Sequence, residues 1–307
     1  MGQRICVTGA SGQAGRAVAR DLREHGYDVA ATDAVVTRPD RQAGMLRADL
    51  TDYGQAVEAL RGAEAVVHLA NIPAPGLETP AVTFNSNITM NYNVFTAAAS
   101  LGLSRVVWAS SETTLGLPFD VPPRYAPADE DHYPLPTSSY ALSKVASETI
   151  AGHIAQWSGI PFVALRFSNI MAPADYARFP SFWADARARR WNLWGYIDER
   201  DVAAACRLAL SAPADAVADS PSFIIAAADT VMNRPSAELL AEVFPEVKLT
   251  HDVGEFGTLL AIDRARAVLG FEPAHSWRDH VAADAAAPAA GAPAGAAPAS
   301  GAEPREP

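Results

Sequence analysis

The chain predicts an α/β fold built on a doubly wound parallel sheet, and three observations carry that prediction. Short apolar runs alternate with helical stretches from the first residues onward. The first of these runs breaks into a glycine-rich turn that opens directly into a helix. The second ends in an acidic residue about twenty positions beyond the glycines.

Taken in order, Arg4-Ile5-Cys6-Val7 reads as a buried strand, and it leads into Thr8-Gly9-Ala10-Ser11-Gly12-Gln13-Ala14-Gly15 and a helical segment from Arg16 to His25. Strand, glycine turn and helix N-terminus together make a phosphate cradle. Gly9, Gly12 and Gly15 let the backbone approach a pyrophosphate, with Ser11, Gln13 and Ala14 lining the same loop, and the free N–H groups and dipole of the helix favour its charge. The first two glycines are three apart, which departs from the usual G-x-G-x-x-G. The next strand, Asp28 to Thr32, ends at Asp33. An acid there accepts hydrogen bonds from ribose hydroxyls and repels a 2′-phosphate, which favours NAD over NADP. Arg38 and Arg41 follow closely and oppose that preference.

Further along lies a pairing of residue types that composition makes conspicuous. The chain has two lysines against twenty-two arginines, and one of the two, Lys144, stands four residues after Tyr140. On a helix that spacing places phenol and ammonium on one face. A neighbouring positive charge favours phenolate over phenol and lowers a pKa that is ordinarily about 10. The pair is thereby suited to acid/base work near neutral pH.

With these features together, the chain resembles the extended short-chain dehydrogenase/reductase family, of the NAD-dependent epimerase/dehydratase type. The resemblance runs from the first strand to about Val281 and implies a Rossmann fold that binds NAD. Asp49-Leu50 matches the family's adenine-contacting acid and its neighbour. Val66 to Asn71 resembles the fourth strand, with Leu69, Ala70 and Asn71 beside the cofactor. Asn87 to Asn93 resembles the helix that carries the family's structural asparagine. Arg105 to Ala109 reads as the fifth strand, leading to Ser110-Ser111-Glu112-Thr113-Thr114-Leu115-Gly116. Ser111, five before that glycine, matches the catalytic serine, and Tyr140 and Lys144 complete a triad. Leu165 to Pro173 resembles the segment around the sixth strand, bringing Phe167 to the cofactor and Asn169 to the substrate. Tyr196-Ile197-Asp198 resembles a later HVDD-like stretch. The implied division is a core over 1–170 with 198–226 returning to it, and a small cap from 171–197 and 227–281.

Composition agrees. Half the chain is apolar, enough for one large core. No apolar run is long enough for a bilayer and no signal peptide precedes the first strand, so the expectation is a cytoplasmic protein without a membrane partner. Cys6 and Cys206 read as small buried apolar residues, with no disulfide framework. The formal charge of −11 disfavours nucleic acid. The seven histidines never fall at ligand spacing, and no metal is expected; His68 reads as a strand residue. From about Ala282 the alanine, proline and glycine tail cannot bury enough surface to offset its chain entropy, and 282–307 is expected to be disordered.

Two departures from the family narrow the activity. Its 4,6-dehydratases follow the catalytic Thr or Ser with Asp and then Glu; here Glu112 and Thr113 follow Ser111, so the second carboxylate needed for elimination is missing. The family's decarboxylases place a glutamate where Thr113 stands. Glu112 remains either a substrate contact or a turn cap. The second departure is size, for only Ala174 to Gly195, about one helix and a loop, separates the sixth strand from the HVDD-like stretch. That favours a small substrate. The segment is rich in aromatics (Tyr176, Phe179, Phe182, Trp183, Trp191, Trp194), which pack on sugar C–H surfaces or on the sheet, and in arginines, which fork onto carboxylates. The compact cap and the Ser110-Ser111 pair resemble uronate dehydrogenases and related sugar-acid enzymes. Arg178 is the expected carboxylate contact, with Arg187, Arg189 and Arg190 on a solvated face.

The expected chemistry is hydride transfer between NAD and a hydroxyl or carbonyl of a small sugar or sugar acid, with Tyr140 as base, Lys144 tuning it and Ser110, Ser111, Glu112 and Asn169 at the substrate. The same residues could run an epimerase without net redox change. A dinucleotide sensor without catalysis would not need all three of Ser111, Tyr140 and Lys144. The helical stretches Ala81 to Leu101 and Ser139 to Trp157 correspond to those that pair in the family's homodimers.

Overall fold

The computed structural model describes residues 2–282, apart from 43, 117, 118, 120 and 133. Strands β1 (Arg4–Thr8), β2 (Asp28–Asp33), β3 (Leu46–Arg47), β4 (Ala65–His68), β5 (Arg105–Ser111), β6 (Phe162–Phe167) and β9 (Ser222–Ile225) form one sheet in the order β3-β2-β1-β4-β5-β6-β9. Every pair is parallel, as the alternation of strands and helices predicts. A second, two-stranded sheet pairs β7 (Ile170–Met171) with β8 (Ile197–Asp198).

The long parallel strands read as continuous apolar runs because both faces are covered. On one face α1 (Gln13–Glu24) and α6 (Glu199–Ser211) pack over Val7, Val67, Val107, Val163 and Phe223. On the other, α3 (Tyr53–Leu60), α4 (Pro80–Leu101) and α5 (Ser139–Ser158) enclose Cys6, Val66, Phe95, Trp108 and Phe162. Cys6 and Cys206 are both buried in these layers. The short α2 (Arg38–Gln42) leads to the sheet edge, and α7 (Ser236–Val243) and α8 (Asp263–Leu269) belong to the C-terminal part. None of these helices is long and apolar enough to cross a membrane.

The strand order reverses at β1, which neighbours β2 on one side and β4 on the other. Ligands of such sheets bind in the crevice at the carboxyl ends of strands beside that reversal. A third apolar cluster, above the carboxyl ends, contains Tyr176, Phe179, Trp194, Tyr196, Leu260 and Trp277. Leu115, Phe119, Ala126 and Ala128 pack there too, although they precede the stretch expected to form the cap. The expected cap helix is instead two 3-10 stretches, Pro173–Ser181 and Ala186–Asn192, because Pro180 removes an N–H and the buried aromatics dictate the path. The tail beyond Ala282, expected to be disordered, lies outside the described residues.

Candidate active site

The glycine turn has the geometry of a dinucleotide cradle. Gly9 has φ of +67°, and a Cβ there would come within 2.6 Å of the Ala70 nitrogen. A Cβ on Gly15 would meet the Gly9 carbonyl at 2.1 Å, so only glycine permits the packing of turn against helix. Gly12 is the N-cap of α1 and offers no side-chain cap. The first-turn N–H groups, on Gln13, Ala14 and Gly15, are therefore left for an anion. Asp33 closes the cradle, its carboxylate accepting the Ser11 N–H at 3.0 Å and the Val35 N–H at 3.1 Å. Leu69, Ala70 and Asn71 follow β4 half-buried on the other side of the crevice. These residues fit an NAD-type dinucleotide. The Asp49 Oδ1 accepts the Thr51 N–H and hydroxyl at 2.9 and 2.7 Å, which hold its pKa below the usual carboxylate range. Leu50 is buried in the core.

Behind the cradle, a polar ladder ties the layers together. Thr8 donates to Nδ1 of His68 at 2.7 Å, and His68 Nε2 donates to Asn91 at 2.9 Å. Burial holds His68 neutral, its pKa pushed down to about 3. It is a structural residue of β4. Asn91 donates to Ser147 at 2.7 Å, and Asn87, one turn earlier, holds both backbone groups of Ile72 at 2.8 and 3.1 Å. Asn87 thus fixes the loop after β4 while its helix packs on α5.

Ser111 ends β5, and Tyr140 and Lys144 lie in the first two turns of α5, whose N-cap Ser138 accepts the Ala141 N–H at 3.2 Å. The Lys144 ammonium donates to the Ala109 carbonyl at 2.8 Å and lies 5.5 Å from the centre of the Tyr140 ring. The Ser111 hydroxyl lies close enough to the phenol to favour its charged form. It accepts from the N–H of Thr113 at 3.2 Å and from its hydroxyl at 3.0 Å, which leaves its own proton to donate outward. Thr113, at the position where the dehydratases carry a glutamate, therefore orients Ser111. Phe167, paired with Ser111 across β5 and β6, is buried.

The electrostatics differ from the sequence expectation. Burial dominates both members of the pair, raising the Tyr140 phenol to about 12 and lowering the Lys144 ammonium to about 7. The nearby Glu112 charge adds to the rise at Tyr140. Opposing the fall at Lys144 is Glu148, one helical turn on. Glu148 also accepts a two-point bond from Arg166, at 2.9 and 2.8 Å, and one from the Ser110 hydroxyl at 2.5 Å. Ser110 thus bonds Glu148, two turns along α5 from Tyr140, while Ser111 lies at the phenol. Sequence reasoning missed Glu148 and Arg166; the signal available was a glutamate four residues after Lys144 on the same helix face.

Glu112 is neither a solvated cap nor exposed. Ser111 caps the turn, and Glu112 is buried with its Oε1 accepting from Asn192 at 3.2 Å. Asn169 is half-buried, its carbonyl accepting the Ile197 N–H at 3.0 Å. Arg178 is part-exposed, with Asp175 at 3.9 Å. Arg187 is exposed, but Arg189 is buried, stacked over Phe182 and Trp191 and donating to the Gly195 carbonyl at 3.2 Å. The expected solvated arginine face therefore excludes Arg189. Most of the cap aromatics pack the interior: Tyr176, Phe179 and Trp194 are fully buried. Among the described residues no three His, Cys, Asp or Glu side chains gather as a metal-ligand set.

Residues 5–225 match the model of the NAD dependent epimerase/dehydratase family. The chain is 28% identical over 204 residues to an NAD-dependent glucose-6-phosphate dehydrogenase of Haloferax volcanii, covering 61% of this chain and 77% of that protein. It is 28% identical over 173 residues to a UDP-glucose 4-epimerase of Corynebacterium glutamicum, covering 54% of this chain and 51% of the epimerase, about half its length. Among solved structures, a short-chain dehydrogenase/reductase superfamily protein from Agrobacterium tumefaciens with bound NAD superposes with a TM-score of 0.68 at 24% identity, over 90% of this chain and 94% of that one.

Proposed function

The chain belongs to the NAD-dependent epimerase/dehydratase family, and from that membership we propose that it is an NAD-dependent oxidoreductase acting on a hydroxyl or carbonyl of a small sugar or sugar acid. The observation that carries the reading is the convergence of Ser111, Tyr140 and Lys144 at the carboxyl edge of the sheet, beside the glycine cradle.

In this reading Gly9, Gly12, Gly15 and the N-terminus of α1 hold the cofactor's pyrophosphate, and Asp33 takes ribose hydroxyls, favouring NAD over NADP. The nicotinamide, when bound, supplies the hydride acceptor or donor. In the oxidising direction the Ser111 proton holds the substrate oxygen while Tyr140 takes the hydroxyl proton. Because burial, with the Glu112 charge, pushes the phenol up to about 12 against the pull of Ser111, Tyr140 needs the ammonium of Lys144 and the N-terminal dipole of α5 to act as a base near neutral pH. Glu148 opposes the burial that lowers the Lys144 pKa, and the buried cap limits water. The short 174–195 segment suits a small substrate. Two buried thiols and the formal charge of −11 fit a cytoplasmic enzyme.

The second reading, favoured by the epimerases in the family, is a closed cycle in which the ketone stays bound and receives hydride on its other face. One experiment separates the two: incubation with NAD⁺ and a panel of free sugars, uronates and polyols while following NADH absorbance. Net NADH selects the dehydrogenase; isomerised product without it selects the epimerase. Neither, across the panel, would sink the proposal.

A further inference from the structure

The turn that closes the cap beside Ser111 is strained. Leu193 and Trp194 are consecutive non-glycine residues in the left-handed region, with φ of 53° and 58°. Such positions cost about 1–3 kcal/mol each and persist where the surroundings hold them. Here Trp194 is fully buried, and its indole donates to the Ala186 carbonyl at 2.7 Å. The turn folds the preceding stretch back so that Asn192 and Arg189 both donate to the Gly195 carbonyl, at 2.9 and 3.2 Å. The same Asn192 Nδ2 also reaches Glu112 Oε1 at 3.2 Å, and the Arg189 charge lies near enough to favour that of Glu112, the residue that follows Ser111 and whose charge Tyr140 feels.

Four buried polar atoms then lack a hydrogen-bond partner: Glu112 Oε2, Asn192 Oδ1, Ser168 Oγ and Arg189 Nε. Ser168 and the Asn169 N–H lie near enough to favour the Glu112 charge, yet neither closes a hydrogen bond on Oε2. Leaving such groups unpaired costs about 1–3 kcal/mol each, so a cluster of them beside reacting residues marks a place where a ligand completes the bonding. With Glu112 charged, its Oε2 and Asn192 Oδ1 only accept, Arg189 Nε only donates, and the serine does either. A carboxylate offers no proton to Glu112 or Asn192 and would lie against a like charge. An ammonium would lie near Arg189. A neutral hydroxyl both donates and accepts.

Resting on the oxidoreductase reading, we propose that Glu112, Asn192, Ser168 and Arg189 form a subsite for a neutral hydroxyl on the carbon next to the one that reacts. The substrate is then a vicinal diol or polyol, and any carboxylate it carries lies away from this subsite, toward Arg178.

The test starts from the intact protein and the best sugar or polyol of the panel, with the oxidised carbon read from the product. Its analogue deoxygenated at the adjacent carbon is then compared by kcat/KM, and by tryptophan fluorescence titration of the NADH complex. The expected result is a loss of about tenfold or more for the deoxy compound in both readouts. Glu112→Gln and Asn192→Ala should each narrow that ratio, and the ratio in the parent protein stands even if a variant folds poorly. Equal kcat/KM and equal binding of the two compounds would overturn the subsite and leave the oxidoreductase reading intact. Failure of the protein to oxidise, isomerise or bind any sugar or polyol would overturn both.

Discussion

At Glu112, burial pushes a carboxyl up to about 7 from an ordinary 4.5, against the opposing pull of Ser168, Asn192 and Arg189. A raised pKa means that the folded state holds the proton more tightly, so stability falls as pH rises from about 4.5 to about 7. Glu112→Gln removes that dependence. Chemical denaturation should show the variant gaining on its parent across this window, by roughly 3 kcal/mol at most. A constant difference between the two at pH 5 and pH 8 would mean that Glu112 is solvated. Asp33 makes the second residue-scale prediction. If it takes the ribose hydroxyls, NAD should bind more tightly than NADP, and Asp33→Ala should narrow the gap in a fluorescence titration. Equal affinities in the parent would assign that end of the site to Arg38 or Arg41. The placement of Asp33 and of the triad candidates was legible in the sequence because their signals are local: a strand tip, a strand end, and two positions four apart on a helix. Arg189 was not. A run of arginines reads as a solvated face, and only the left-handed turn at Leu193 and Trp194 turns one of them inward.

Among the elements, α5 does the most to organise the site, since one face carries Tyr140, Lys144 and Glu148 in successive turns. The Glu148 pair with Arg166 joins that helix to β6, and its bond from Ser110 joins it to β5. The i, i+4 spacing of Lys144 and Glu148 was visible in the sequence, but the bonds from Glu148 to β5 and β6 have no periodicity of their own and emerge only from the fold. Glu148→Gln should destabilise by about 3 kcal/mol, because it strands the buried Arg166 charge. It should also lower the Lys144 pKa further, so the alkaline fall of kcat/KM moves to lower pH. His68 is neutral and the phenol uncharged at neutral pH, leaving Glu148 as the negative charge set against burial at Lys144. Loss of stability with an unmoved pH profile would make Glu148 a packing residue alone. The cap shows the opposite limit of legibility. Its aromatics were visible as a cluster, but their spacing did not reveal that Pro180 and the buried rings turn an expected helix into 3-10 stretches.

For the whole molecule, the doubly wound sheet was readable from alternation and the glycine turn, because covered parallel strands leave long apolar runs. The outer faces of α4 and α5 leave Val82, Tyr92, Leu142 and Trp157 exposed, and we propose that copies of the chain pair through them. Exposed apolar side chains on two neighbouring long helices suit a two-fold contact between copies, the commonest closed symmetry. Light scattering at micromolar concentration should give twice the chain mass of 32.4 kDa, and Leu142→Arg should halve it. A monomer mass for the parent would contradict this. The central claim, that the fold brings Tyr140 to the reacting oxygen as its acid/base group, is tested most directly by turnover of Tyr140→Phe beside its parent on the best substrate. Cofactor binding, followed by fluorescence, should survive while turnover falls at least about a hundredfold. Near-normal turnover in a variant that still binds NAD would contradict the claim.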